Sequence, residues 1–431
     1  MGSAAAGGRH IMTVKQKRRF PWKTVLGAVL LIALCAGALQ VWRAATGELP
    51  PGGQASTSDE EAPDASQEAG TSGEAAGAAE EPEGSDAAGE QAEEPDPIAA
   101  RAQELLDGMT LEEKVGQMFI ARCPETDAAQ LAADYHLGGY ILFGRDFKDK
   151  TAEQVTADIQ SYQGAAEIPL LIAVDEEGGT VNRVSSNPNL RSSPFRSPQS
   201  LYSEGGLELV RSDAQEKCRL LESLGININF APVCDVSQDP ADFIYDRTLG
   251  RDAQETSQYV AAVVETMAEE GMGSVLKHFP GYGNNTDTHT GVAYDDRPYD
   301  TFLTSDFLHF QAGIAAGADM VLVSHNIVSA MDEASPASLS PEVHRVLRED
   351  LGFTGVIVTD DLVMDGVRDF AGDDEAAVLA VQAGNDLLCC TDFQTQVPAV
   401  LAAVESGEIT EEQIDAAVLR VLTMKLRLGI L

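Results

Sequence analysis

Lys277-His278-Phe279-Pro280-Gly281-Tyr282-Gly283, followed closely by Asp287-Thr288-His289, gathers two imidazoles, an ammonium and a carboxylate around a glycine-rich turn. A short apolar run, Ser274-Val275-Leu276, leads into it. An Asp two residues before a His predicts a carboxylate that orients and charges an imidazole, the usual arrangement for proton transfer near neutral pH. Gly281 and Gly283 let the backbone turn tightly enough to bring such side chains together. The segment reads as a catalytic loop.

Other polar groups stand at the ends of apolar runs. Val356-Ile357-Val358-Thr359 is a β-branched stretch that ends in Asp360-Asp361. A carboxylate there could attack a carbon electrophile, ligate a cation, or cap the helix that follows. Asp360 is the stronger candidate for chemistry, and Asp361 fits a cap as well. Asp175-Glu176-Glu177-Gly178-Gly179 ends another run, with Arg183 shortly after it and Asp246-Arg247 in a later loop. Carboxylates and guanidinium forks facing one opening suit a ligand rich in hydroxyls; structural ion pairs are the plainer alternative. Among the histidines, His278, His289 and His325 lie at strand ends or in the loops beyond them. His10, His136, His309 and His344 fall elsewhere and are read as packing or surface residues.

The elements that must position these residues are short apolar runs alternating with stretches of helical period. Strands are expected at Met118–Ala121, Tyr140–Phe143, Leu170–Asp175, Ile226–Pro232, Ser274–Phe279, Met320–His325, Val356–Asp360 and Asp386–Cys390. Helices are expected over Gln258–Glu270, Phe307–Ala316, Pro341–Glu349 and Glu375–Ala383, and Thr110-Leu111-Glu112-Glu113 is a capping box opening another. Near-continuous apolar strands between helices imply a parallel sheet covered on both faces. No Gly-x-Gly-x-x-Gly follows an early strand, and Asp175, Lys277, His278, His325 and Asp360 come from several strand ends. That pattern fits an α/β fold of the (β/α)₈ TIM-type barrel class better than an open doubly wound sheet.

The chain has 431 residues and a formal net charge of −40. This excludes a basic nucleic-acid-binding face and indicates solubility. From Ala44 to Pro97 the composition is dominated by Glu, Asp, Ala, Gly, Ser and Pro, without Lys or Arg. Such a segment cannot bury enough apolar surface to offset its ordering entropy, so 43–97 is expected to be a disordered acidic linker. Val25 to Trp42 is an apolar run flanked by Lys15, Lys17, Arg18, Arg19 and Lys23. It approaches the roughly 17–25 residues that span a bilayer. The basic flank, 1–23, should stay in the cytoplasm, with 24–42 a transmembrane anchor and the unit 98–431 outside the cell. A cleaved signal peptide is the competing expectation. Six cysteines show no framework, and no Cys or His set has zinc spacing. Free buried thiols, no metal and no cofactor are expected.

Taken together, these motifs resemble those of bacterial β-N-acetylhexosaminidases in glycoside hydrolase family 3. The likeness runs through Asp175–Gly179, Asn229-Phe230-Ala231-Pro232-Val233, Asp246-Arg247, Lys277–Gly283 with Asp287-Thr288-His289, Gly352-Phe353-Thr354-Gly355-Val356 and Thr359-Asp360-Asp361, from about Ile98 to the C-terminus. The resemblance implies that Asp360 is a nucleophile forming a glycosyl-enzyme and His289 the general acid/base, with Asp287 its dyad partner. It also implies that Asp175, Arg183, Arg247, Lys277, His278 and, less directly, His325 hold a sugar's hydroxyls and N-acetyl group. A retaining glycosidase ordinarily pairs two carboxyl groups; here an imidazole would replace one. Tyr282 stands where many relatives have His, and Thr180 where relatives often have Arg. Relatives with a second domain draw a Glu from it, for which this chain has no room after its eighth strand. The expected activity is exo-acting removal of N-acetylglucosamine from cell-wall fragments or related glycans. An N-acetylglucosaminide phosphorylase and an inactive glycan-binding surface protein are the alternatives.

Overall fold

A computed structural model describes residues 96–285 and 291–431. The chain divides into two units, Met1–Gly89 and Glu90–Leu431, and every described residue belongs to the second. The expected anchor at 24–42 and nearly all of the expected linker lie outside the described residues, as do Asp287 and His289. Among the described residues no helix is long and apolar enough to cross a membrane.

All eight expected strands are present within a few residues of their expected ends. They are β1 (Phe119–Arg122), β2 (Gly139–Leu142), β3 (Leu171–Val174), β4 (Ile228–Asn229), β5 (Gly273–Phe279), β6 (Met320–Val323), β7 (Val356–Thr359) and β8 (Leu388–Cys390). Neighbours pair in parallel in the order β8-β1-β2-β3-β4-β5-β6-β7. A parallel bridge between Val358 and Leu387 joins β7 to β8, which makes the sheet a barrel. β4 stops short of its expected end at Pro232, which has no N–H to donate to a ladder. The expected helix from Pro341 is α-helical to Arg345 and continues to Asp350 as a π-turn. A small parallel pair, Tyr294–Asp295 with Ile327–Val328, was not expected; two residues are too few to carry an alternation.

Side chains alternate across the barrel wall as the period of a strand requires. Ile120, Leu171, Ala173, Val275, Met320, Leu322, Val356 and Val358 fill the interior. Phe119, Ala121, Ile172, Val174, Leu276, Val321, Val323 and Ile357 face the surrounding helices. This explains why the strands read as continuous apolar runs: both faces are buried. The capping box forms as expected, with Thr110 N–H donating to Glu113 Oε2 at 2.7 Å and Glu113 N–H to Thr110 Oγ1 at 3.3 Å.

The last helix, Glu411–Arg427, closes the end of the barrel away from the site, packing Val421 and Met424 against the interior cluster. It also buries Lys425 completely, with Nζ donating to Gln117 Oε1 at 2.8 Å. Burial pulls this ammonium down to about 7 from its usual 10.5. The unfolded chain keeps the proton up to the ordinary value, so between these limits it binds more protons than the folded one. Stability therefore rises with pH across that window. Each tenfold difference in proton affinity is worth about 1.4 kcal/mol. Lys425→Met should flatten this rise in melts run between pH 6 and pH 10; an unchanged slope would show that Lys425 does not cause it.

Candidate active site

The polar strand ends meet at the C-terminal mouth of the barrel. A cavity of about 420 Å³ is lined there by Asp175, Glu177, Arg183, Arg247, Lys277, His278, Asp360 and Asp361, with Arg122, Phe143, Phe230 and Met364 among the others. Six of the nine residues expected at the site thus share one space. His325 does not line it. Its ring is fully buried, with Nδ1 2.7 Å from Ser338 Oγ and Nε2 3.1 Å from the carbonyl of Asp361, so it supports the turn after β7 from behind.

The three acids after β3 divide their work. Asp175 Oδ1 lies 2.6 Å from Lys277 Nζ. Glu176 is fully buried and accepts the backbone N–H groups of Arg183 (2.8 Å), Val184 (2.7 Å) and Ser185 (3.2 Å), tying down the loop that presents Arg183. Glu177 takes Lys277 Nζ at 2.7 Å and a fork from Arg247, Nε at 3.0 Å and Nη2 at 2.8 Å. Burial alone would push the Glu177 carboxyl up, but Lys277 and Arg247 hold it well below the usual carboxylate range. Burial likewise opposes the charge on Lys277, and Asp175 and Glu177 overcome it and raise its proton affinity. These groups hold one another in place, so they present a rigid set of donors and acceptors to a ligand.

Lys277 and His278 are consecutive in β5 yet both reach the cavity. The pairing of β5 with β6 shifts register between Leu276 and Phe279, a break in the ladder that re-aims side chains. Asp235, just beyond β4, then fixes the imidazole. This fully buried carboxylate lies 2.7 Å from His278 Nδ1 and accepts the Tyr282 N–H at 2.6 Å. On the other side Arg247 Nη2 approaches His278 Nε2 at 3.2 Å. A guanidinium only donates, so the proton must sit on Nδ1, facing Asp235. Burial pushes Asp235 up, while His278 and the Tyr282 N–H hold it below its ordinary value. Asp235→Asn would turn an amide N–H toward Nδ1 or weaken that bond. A charge-assisted hydrogen bond is worth roughly 1.5–3 kcal/mol, so kcat/KM on a chromogenic glycoside should fall about 10- to 100-fold with the fold intact by circular dichroism. A change under about threefold would remove this positioning role.

The glycines of the turn are required by what packs on it. A Cβ on Gly281 (φ +128°) would stand 2.0 Å from Asp306 Oδ1, and one on Gly283 (φ +56°) 2.6 Å from Arg297 Cζ. Arg297 donates to the Gly281 carbonyl at 3.1 Å and to both Asp295 and Asp306, so it anchors the turn from outside the barrel. Burial raises Asp306 to about 6 despite Arg297.

After β7, Asp360 Oδ1 accepts the Asp361 N–H at 2.8 Å, which orients its carboxylate at the cavity wall. Asp361 accepts the N–H groups of Val363 (3.2 Å) and Thr391 (3.1 Å). It therefore ties down this turn but is not the helix cap its position allowed, since the next helix begins at Asp365 behind Met364; both Asp360 and Asp361 line the cavity. Glu177 and Asp235 were missed by reading the sequence. Glu177 stands two residues after a strand-end Asp and could have been found; Asp235, behind Cys234, carries no such mark. Among the described residues Cys123, Cys218 and Cys234 are buried free thiols, as expected.

Residues 110–424 match the glycosyl hydrolase family 3 N terminal domain. The chain belongs to that family. This family 3 glycoside hydrolase is 33% identical over 326 residues to Beta-hexosaminidase LpqI of Mycobacterium tuberculosis, covering 73% of this chain and 82% of that one. It is 36% identical over 232 residues to a Beta-hexosaminidase of Xanthomonas campestris pv. campestris, covering 53% and 69% of the two chains. A solved family 3 β-N-acetylglucosaminidase from Paenibacillus sp. str. FPU-7 superposes with a TM-score of 0.70 at 34% identity, over 75% of this chain and 63% of that one. The structure of M. tuberculosis LpqI superposes with a TM-score of 0.69 at 28% identity, over 75% and 96%.

Proposed function

We propose that this family 3 hydrolase is a retaining, exo-acting β-N-acetylhexosaminidase that removes terminal N-acetylglucosamine from cell-wall fragments or related glycans. The observation that carries this reading is the convergence on one cavity of Asp360 with Asp175, Arg183, Arg247, Lys277 and His278. The names of the relatives support the sugar class. In the proposed first step an Asp360 oxygen bonds to the anomeric carbon while the glycosidic oxygen leaves with a proton from His289. In the second, water attacks the same carbon, gives its proton to His289 and releases Asp360. Asp287 orients the imidazole. The paired Lys277 and Arg247 and the carboxylate of Asp175 are suited to hold ring hydroxyls, and cost no reorganisation because they are already fixed.

The test is hydrolysis of a chromogenic N-acetylglucosaminide followed by NMR of the first product anomer. Release of the β-anomer supports the retaining reading, and the α-anomer overturns it. In phosphate buffer, sugar-1-phosphate as the main product would favour phosphorolysis. Binding without turnover would favour a glycan-binding protein. We further propose that residues 24–42 anchor the chain in the cell membrane with the catalytic unit outside, a reading that rests on the apolar run and its basic flank. Protease treatment of intact cells should then remove the activity; activity confined to the cytosolic fraction would sink this placement.

A further inference from the structure

Two cations of the cavity have no carboxylate partner among the described residues. Lys277 is matched with Asp175 and Glu177, Arg247 with Glu177, and His278 with Asp235. Arg122, ending β1, and Arg183, in the loop after β3, are not matched this way. In both, Nε is buried with no hydrogen-bond acceptor. What they share is Phe143, at the end of β2: Arg122 Cζ lies 4.5 Å and Arg183 Cζ 5.6 Å from its ring centroid. The ring holds the guanidiniums in place by cation–π attraction but supplies no acceptor. Two like charges gathered on one aromatic ring repel, and unmet buried donors are unfavourable. An oxyanion relieves both. Its paired oxygens match the guanidinium fork, whereas a hydroxyl supplies weaker, uncharged acceptors.

We propose that Arg122 and Arg183, braced by Phe143, form a receptor for an oxyanion (carboxylate, sulfate or phosphate) at the β1–β3 side of the cavity, and that the anion is a substituent of the bound glycan. This rests on the glycosidase reading of the site. It makes Arg122 a specificity-determining residue that selects acidic over neutral glycans. A free anion entering beside the sugar shares the same chemistry and is separated by the test below.

The experiment measures inhibition of chromogenic N-acetylglucosaminide hydrolysis by the full chain. The inhibitors are N-acetylglucosamine, its 6-sulfate, a β-N-acetylglucosaminide with a carboxylate on the aglycone, and inorganic sulfate. In the wild type at least one acidic saccharide should bind about tenfold or more tightly than its neutral counterpart, as charge-assisted hydrogen bonds warrant. Arg122→Met should bring that ratio to within about twofold, and Arg122→Lys, which keeps the charge but loses the fork, should leave it between. Inhibition by inorganic sulfate alone that disappears in Arg122→Met would uphold the receptor and identify a free anion as its occupant. Equal binding of acidic and neutral saccharides in the wild type with no Arg122-dependent inhibition by inorganic sulfate, or a preference that survives Arg122→Met, would overturn the proposal. Turnover of the neutral chromogenic substrate reports separately on the glycosidase reading. If the wild type fails to cleave it, that reading falls; if it cleaves it and shows no anion preference, only the receptor falls.

Discussion

Asp360→Asn is expected to abolish turnover, with kcat on a chromogenic N-acetylglucosaminide falling by about 10⁴-fold or more, the scale seen when a covalent nucleophile is removed. Asn keeps the size of the side chain and an oxygen that can accept the Asp361 N–H, now at 2.8 Å, so the turn after β7 should survive. What is lost is the negative charge that, on the proposed route, forms the bond to the anomeric carbon. The proposed route makes a sharper demand. A small anion such as azide, added to the variant, should attack from the vacated side and give the α-glycosyl azide. Turnover within about tenfold of wild type, or a β-glycosyl azide, would rule out Asp360 as nucleophile.

His289→Ala carries the second large effect, and it should depend on the leaving group. Proton donation contributes roughly 10²–10⁴-fold in general acid catalysis. It matters most when the departing oxygen is a poor leaving group. The variant should therefore lose about that factor on a natural disaccharide, and lose much less in the first step on an activated aryl glycoside. Steady-state and pre-steady-state rates across a series of aryl leaving groups measure this directly. A steeper dependence on leaving-group pKa in the variant is expected, and parallel lines for variant and wild type would refute the acid role. His289 lies outside the described residues, so this expectation comes from the Asp287-Thr288-His289 spacing and the resemblance it carries.

Asp235→Asn is expected to be milder because Asp235 would act on the proposed sugar site only through His278. Its neighbours nevertheless tie the site together. One connected series runs from the Tyr282 N–H through Asp235, His278, Arg247 and Glu177 to Lys277 and Asp175. A change at the loop turn is thereby felt at the groups lining the cavity.

The barrel was legible because its strands are buried on both faces. A run such as Val356–Thr359 must be apolar throughout, and the polar residue that ends it must stand at the rim. The same logic located Asp175, Lys277, His278 and Asp360 at one mouth before any pairing was known. The division of labour was not legible. Asp175, Glu176 and Glu177 are chemically alike, and their jobs differ because each meets a different remote partner. Lys277 is 102 residues from Asp175, and His278 is 43 from Asp235. His325, too, was placed at the right rim, and only packing against Ser338 and the Asp361 carbonyl turned it behind the cavity. Arg122 and Phe143 carried no sign of belonging together, since nothing in the chain announces which strand ends become neighbours.

Local chemistry by itself therefore determined the element types, the strand ends and the kinds of group that gather at the mouth, because period, burial and turn chemistry act over a few residues. Which carboxylate neutralises which cation, which imidazole nitrogen holds the proton, and which guanidiniums are left unmatched were decided by tertiary structure. Those outcomes depend on distances of about 3 Å between residues far apart in the chain, and barrel closure and the register shift in β5 set them.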